Sequence, residues 1–597
     1  MKACLITVLC ILGSLCTFAE GVKIDILSPV SGLIRIESQD KYVLLPVEDN
    51  APESDVRVLV NGKTQTTVQV RLAQHHVDYF VPMEVAKYDG KVVLYVHTRG
   101  DRATLRNAQD AAWCKQTHTA STFDTTNREQ YRPAYHHSPL YGWMNDPNGQ
   151  FYKDGVWHLY YQWNPYGSTW GNMTWGHATS SDMLHWEEQP AAVWADGLGT
   201  VFSGSCVVDK ANTAGFGENA VVGFYTSAAE NQIQSLIYST DNGQTFAHYA
   251  DNPVISDKVE CRDPNLYWNE QTKAWNLYLV SPLTHEVWFY TSPNLIHWEK
   301  VSAFGGHGCL NGVWECPDLM RLPVRGTKDY KWLIILNINP GFPYGGSGTQ
   351  YFIGDWDGKT FTCESAPQIT KWMDYGKDHY ATVSWSETNK VIAWMNNWQY
   401  ANVVPTRQFR SANSLPRELD LFVGDDGETY VGVHPAEECN ALRGTQFIPD
   451  NEKTFYATQH HTSYALPQSG LCEIVLDAAM ASAKQLTITL SNDKGEQVEM
   501  VYDTEALTFA MDRRKSGLVD FSEDFPVVTT APLLQARPMR KKASLRLFID
   551  RCSIEVFEGE GRFAMTNLVF PTTPYTSISI SANGKAKTSL QVYEIQY

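Results

Sequence analysis

A polar turn closed by an aromatic residue recurs along the middle of this chain. Ser180-Ser181-Asp182-Met183-Leu184-His185-Trp186 resembles Ser239 to Phe246 and Thr291 to Trp298, with a weaker echo at Asp357 to Phe361. The closing aromatics Trp186, Phe246, Trp298 and Phe361 are 60, 52 and 63 residues apart. Short apolar runs lie between them, such as Ala220 to Tyr225, Trp275 to Val280 and Lys331 to Leu336. Repeats of that length, with about four strands each, build β-propeller blades. Four closing turns plus a segment ending near Pro416 predict a five-bladed propeller over residues 130–418.

The tryptophans delimit the same region. All 19 fall between Trp113 and Trp398, and the final 199 residues contain none. Such a composition step predicts separate folding units. Residues 20–125 alternate as strands and turns, as in Val56 to Val60 followed by the hairpin pair Asn61-Gly62. They predict a small β-sandwich-like domain. Residues 425–597 show period-two alternation in Ser544 to Ile549, Ser553 to Phe557 and Ser577 to Ser581, which predicts a second sandwich. The fold class is therefore all-β.

Composition narrows the partners. The chain has 597 residues and a formal charge of −18. An acidic surface disfavours nucleic acid, whose phosphates demand a basic face, and suits a neutral ligand. Residues 1–19 have the pattern of a secretory signal: Lys2, an apolar run from Ala3 to Leu15, and a small residue, Ala19, at the cut. The apolar run is too short for a transmembrane helix. Cys16 offers a lipid anchor, but Leu15 before it is larger than the small residue such sites prefer, so an anchor is not favoured. Beyond the leader nine cysteines remain, with no Cys-x-x-Cys pair. That argues against a disulfide framework or a zinc site.

Three carboxylates stand out by their surroundings. Asp146 lies in Tyr141-Gly142-Trp143-Met144-Asn145-Asp146-Pro147-Asn148-Gly149, a run of turn formers after an apolar-aromatic stretch. Asp263 lies in Arg262-Asp263-Pro264, and Glu315 in Trp314-Glu315-Cys316-Pro317. Taken singly, each fits a structural turn or an ion pair. Their spacing places them on three different blades, where inner strands converge on one axis. Glycoside cleavage needs two carboxyls in different protonation states, one ionised and one able to give a proton. Asn145 and Asn148 suit Asp146 to the ionised role. The apolar neighbours of Glu315 would raise its pKa by desolvation and suit it to the acid role. Asp263 is left to grip sugar hydroxyls. Aromatic and amide clusters, Tyr161 to Pro165, Trp170 to His177 and Trp394 to Trp398, offer stacking faces and hydrogen bonds for sugars, although core packing accounts for most of these rings.

Taken together, these residues resemble glycoside hydrolase family 32, the β-fructosidases. The matching motifs are Trp143 to Gly149, Phe202 to Ser205, Arg262 to Pro264, Glu315-Cys316, Asp378 to Ala381 and Trp394 to Trp398. The resemblance implies a propeller followed by a sandwich, and a retaining double displacement. Asp146 would attack the anomeric carbon of a terminal fructosyl unit, Glu315 would act as acid and then base, and Asp263 would stabilise the transition state. It also implies ring-binding roles for Asn145, Gln162, Trp170, Phe202, Ser203, Arg262, Tyr380 and Trp398, and it implies no metal or cofactor. The implied substrate is a fructan or fructo-oligosaccharide, namely levan, inulin or sucrose, cleaved from the end. Endo-levanase, invertase, fructosyltransferase and non-catalytic fructan binder are the alternatives. The segment 20–125 lies outside the two-domain pattern and resembles extra domains on such enzymes in gut Bacteroidetes, which implies an exported protein, periplasmic or secreted.

Overall fold

The computed structural model describes residues 18–100, 105–126, 128–257, 259–533 and 541–597. The leader therefore lies outside the described residues, Cys16 included, save for the short strand Phe18–Ala19. The chain divides into two compact units. One comprises residues up to 127 together with the excursion Asn164–Asn172, and the other comprises Arg128–Trp163 and Met173–Tyr597.

The first unit is a β-sandwich. Its larger sheet holds Phe18–Ala19, Val22–Ser28, Ser31–Ile36, Val92–Thr98, Ser54–Val60 and Lys63–Val70, and its smaller sheet holds Tyr79–Glu84, Tyr42–Val47 and His118–Ala120. Alternate residues point inward, so Ile24, Ile34, Val43, Leu45, Val56, Leu94 and Val96 form the core with Trp113. The excursion is stitched into this unit by polar contacts. Ser168 donates from its backbone N–H (3.0 Å) and its hydroxyl (2.6 Å) to Tyr79 Oη, and Asn172 exchanges two bonds of 2.8 Å with the Gln69 backbone.

The second unit carries five antiparallel blades. Their innermost strands are Gly142–Lys153, Thr200–Asp209, Arg262–Asn269, Val313–Pro323 and Tyr380–Ser384. Each packs on the next, and the fifth packs on the first, which closes a ring. Phe409–Arg410 returns to pair in parallel with Gly142–Trp143 and ties the chain's fifth blade back to its first.

The aromatic repeat marks the turn into the outermost strand of each of the first four blades. In the first blade Asp182 Oδ1 accepts the backbone N–H groups of Leu184 (3.0 Å) and His185 (2.9 Å), while Trp186 Nε1 donates to Met183 O at 3.0 Å. In the third blade Asn294 Oδ1 accepts from Ile296 (3.2 Å) and His297 (3.0 Å), and Trp298 Nε1 donates to Leu295 O at 3.0 Å. Met183 and Leu295 share a left-handed φ of 64° and 62°. The recurring sequence is thus a side-chain-capped turn. One boundary differs from the sequence reading. The fifth blade continues through Arg417–Val423 into Thr429–Pro435, because Asp425-Asp426-Gly427 forms a hairpin turn inside the blade rather than a linker.

The sandwich that follows joins a sheet containing Cys472–Ala479, Lys542–Ile549, Ser553–Glu558 and Ala586–Ile595 to one containing Gln485–Ser491, Gln497–Asp503, Thr508–Lys515 and Ser577–Ala582. Ile474, Leu476, Leu486, Ile488, Met500, Leu545 and Leu547 fill the space between them.

Propeller and sandwich meet through buried charges. Arg417, 0% exposed, bonds Asp374 at 2.8 Å, Glu555 at 2.7 Å and the Thr566 hydroxyl at 2.6 Å. His136 bridges Asp550 (2.7 Å) and Glu555 (2.9 Å). Burial opposes its charge, but the two carboxylates outweigh it and lift the imidazole to about 9. Removing one member of such a network leaves uncompensated buried charge. Arg417→Met is expected to lower unfolding free energy by about 3–5 kcal/mol in urea denaturation. A loss below about 1 kcal/mol would show that Arg417 is not the charge that holds Asp374 and Glu555 in place.

Candidate active site

All five inner strands bring chemistry-bearing residues to their N-terminal ends. The first supplies Asn145 and Asp146, the second Phe202 and Ser203, the third Arg262 and Asp263, the fourth Glu315 and Cys316, and the fifth Tyr380. The delivery depends on bulges. Strand pairing slips between Val201 and Gly204, between Arg262 and Asn265, between Glu315 and Asp318, and between Tyr380 and Val383. Asp263, Cys316 and Ala381 take left-handed φ values of 61°, 45° and 54°. A bulge re-aims a side chain and is one of the few strand positions that tolerates proline. Pro264 and Pro317 follow two of these acids directly or at one remove.

The three carboxyls share a web of donors. Ser203 Oγ donates to Asp146 Oδ2 at 2.7 Å, Asn145 Nδ2 to Asp146 Oδ1 at 3.0 Å, and the Cys316 thiol to Asp146 Oδ2 at 3.3 Å. Asn145 is itself aimed by Trp143, whose Nε1 donates to it at 2.7 Å. The Cys316 backbone N–H donates to Asp263 Oδ2 at 2.9 Å, so one residue touches two acids. Arg262 Nη2 donates to Glu315 Oε1 at 2.9 Å, and the Tyr380 hydroxyl donates to Glu315 Oε2. Glu260 holds the far side of the same guanidinium at 2.8 Å.

Electrostatics follow from this crowding. Burial, then the nearby Glu315, pushes the Asp146 carboxyl up, and the bonds from Ser203, Asn145 and Cys316 oppose that rise. Burial drives Asp263 to about 7, with Glu315 and Asp146 adding to the rise and Arg262 opposing it. Burial also pushes the Tyr380 phenol upward, reinforced by Glu315.

Some sequence expectations need correction. Trp314 does not surround Glu315 with apolar atoms. Strand alternation turns the indole into the core, at 0% exposure, and Glu315 faces Arg262 and Tyr380. Asn148 donates to the Asp146 backbone carbonyl rather than its carboxylate, and accepts from Gly204 N–H.

The other expected binding residues fall in two groups. Gln162 is buried on the strand next to Asp146, and its Nε2 finds no acceptor among the described residues. Phe202 and Trp398 pack beside Trp143, Trp398 stacking on it at 5.8 Å. Trp170, 45% exposed, lies on the excursion that folds with the first unit. Cys316, Thr226 and Glu260 were not singled out by sequence reasoning. Thr226 Oγ1 accepts the Asp263 N–H at 3.0 Å. Among these only Cys316 carried a signal, its place between Glu315 and Pro317.

A cavity of about 610 Å³, lined by residues that include His137, Trp186 and Glu188, contains none of the three acids. The converging carboxyls mark the candidate site instead. No cluster of His, Cys, Asp or Glu suited to a metal ion occurs among the described residues.

Comparison with known proteins agrees with this geometry. Residues 136–433 match the glycosyl hydrolases family 32 N-terminal domain, residues 438–594 match the glycosyl hydrolases family 32 C-terminal region, and residues 29–135 match a domain of unknown function, DUF4980. A levanase of Bacillus subtilis is 40% identical over 78% of this chain and 71% of its own length. An extracellular exo-inulinase of Aspergillus niger is 36% identical over 78% of this chain and 94% of its own. The crystal structure of an exo-inulinase from Aspergillus awamori superposes with a TM-score of 0.72 at 34% identity, covering 79% of this chain and 99% of that one. With its acids on the inner strands of a five-bladed ring and a sandwich behind them, this chain belongs to glycoside hydrolase family 32 and is a glycoside hydrolase.

Proposed function

We propose that this protein is an exported fructan β-fructosidase that removes terminal fructose from levan, inulin or sucrose with retention of configuration. The observation that carries the reading is the meeting of Asp146, Asp263 and Glu315, each with its own donors, at one end of the inner strands. Asp146 acts as nucleophile. Asn145, Ser203 and Cys316 fix its orientation and favour its charge. Glu315 protonates the leaving oxygen and then activates water, with Arg262 and Tyr380 each anchoring one of its oxygens. Asp263 holds the ring hydroxyls, with the Cys316 N–H fixing its Oδ2. Gln162 has a buried donor to offer a hydroxyl, and Trp398 and Phe202 supply apolar faces.

Support for the substrate class comes from the levanase and exo-inulinase relatives, and the extracellular ones among them support export. The described residues hold no helix long and apolar enough to cross a membrane.

A time course with levan, inulin and sucrose tests the reading. Fructose as sole product from the earliest sample is expected. Early oligosaccharides would replace the exo mode with an endo mode, and no product from any of the three would overturn the reading. Glu315→Gln is expected to lower kcat by about 10²–10⁴-fold, and Asp146→Asn by at least as much, with unfolding temperatures close to the parent's. A third variant tests the charge crowding. Asp263 is lifted from 3.8 to about 7 in the folded protein, so its contribution to stability is complete below its unfolded value and is lost as pH rises through about 7. Asp263→Asn removes that loss. Its Tm relative to the parent is expected to climb between about pH 4 and pH 8, and a flat or falling difference would contradict the assigned environment.

A further inference from the structure

The fifth inner strand, Tyr380–Ser384, is the shortest of the ring, and its first residue holds Glu315. Among the described residues, Asp374 to His379 just before it pair with no strand of the propeller. They are held instead by the sandwich strand Ala564–Leu568. Tyr375 N–H donates to Ala564 O at 2.9 Å and Asp378 N–H to Thr566 O at 3.1 Å. Lys377 N–H donates to Asn567 Oδ1 at 3.0 Å. The approach is so close that a Cβ on Gly376 would fall 1.9 Å from Thr566 O.

Buried charges clamp both ends of this segment. Asp374 is paired with Arg417 at 2.8 Å. Asp378 is paired with Arg513, which comes from the sandwich strand Thr508–Lys515, and both are 0% exposed. Asp378 also accepts from Tyr400 Oη at 2.6 Å and Leu568 N–H at 2.8 Å. Arg513 is fixed in turn by Phe525 O (2.8 Å), Leu568 O (3.1 Å) and Tyr400 Oη (2.8 Å).

We propose that Arg513, in the sandwich, is a positioning residue for Glu315: by fixing Asp378 it sets where the Tyr380 hydroxyl meets that carboxyl. Only His379, itself 2% exposed, separates Asp378 from Tyr380, and Ala381 beyond is already in a left-handed conformation. The backbone on neither side of Tyr380 has room to absorb a shift. Glu315 has two anchors, Arg262 and Tyr380, so displacing the phenol leaves the carboxyl free to pivot about one. Misplacement by about 1 Å can cost about 10²-fold in rate. The inference rests on the reading of Glu315 as acid and base.

A double-mutant cycle tests it. Arg513→Met, Arg513→Lys, Tyr380→Phe and Arg513→Met/Tyr380→Phe are assayed for fructose release from inulin and levan, with the unfolding temperature of each measured alongside. Arg513→Met is expected to lower kcat by roughly 10- to 100-fold with KM within about twofold. Arg513→Lys is expected to recover part of that loss. The double variant is expected to be no slower than the slower single, because both act through one contact. Effects that multiply, or a fall in unfolding temperature with kcat unchanged, would overturn the inference. If Arg513→Met does not fold, Asp378→Asn keeps one acceptor oxygen for the Leu568 N–H, removes the charge, and enters the same cycle with the same readings. An inactive parent enzyme would instead overturn the function proposed for the site.

Discussion

Three carboxyl groups cannot share one small, largely buried space unless each has donors of its own. Like charges at close range raise each other's pKa, and burial raises them further. This protein answers with a distributed set of partners: Ser203, Asn145 and the Cys316 thiol on Asp146, the Cys316 amide on Asp263, Arg262 and Tyr380 on Glu315. These donors come from all five blades. The ring therefore has to close correctly before any carboxyl is properly held, and the chemistry depends on the fold as a whole rather than on one loop.

The carboxyls also end up unlike one another. Asp263 is the one driven to about 7, by burial first and then by its acidic neighbours Glu315 and Asp146. Glu315 is tied to a cation and a phenol. Two acids with similar sequence surroundings thus acquire different electrostatic settings from contacts that lie tens of residues away. Environment rather than residue type separates their roles.

Much of this was legible in the chain. Polar turns ending in Trp186, Phe246, Trp298 and Phe361 gave the blade period because each is a local side-chain-to-backbone turn, complete within about eight residues. The prolines after Asp263 and Glu315-Cys316 fall at register slips of the inner strands, as proline is excluded from a regular inner strand. What the chain concealed was non-local. Trp314 looked like an apolar wall for Glu315, yet strand alternation sends the two side chains to opposite faces. The excursion that carries Trp170 folds with the first unit through Tyr79 and Gln69, and nothing local in the blade announces that. The pairing of Asp378 with Arg513 spans 135 residues, and no local pattern announces it.

If Asp146 attacks and Glu315 assists, the chemistry must run through two displacements at the anomeric carbon. The first-formed anomer reports this directly. Proton NMR of the earliest fructose released, recorded before mutarotation equilibrates the sample, is predicted to show β-fructose in excess. An initial excess of the α-anomer would mean a single inverting displacement, and Asp146 could not then be the nucleophile.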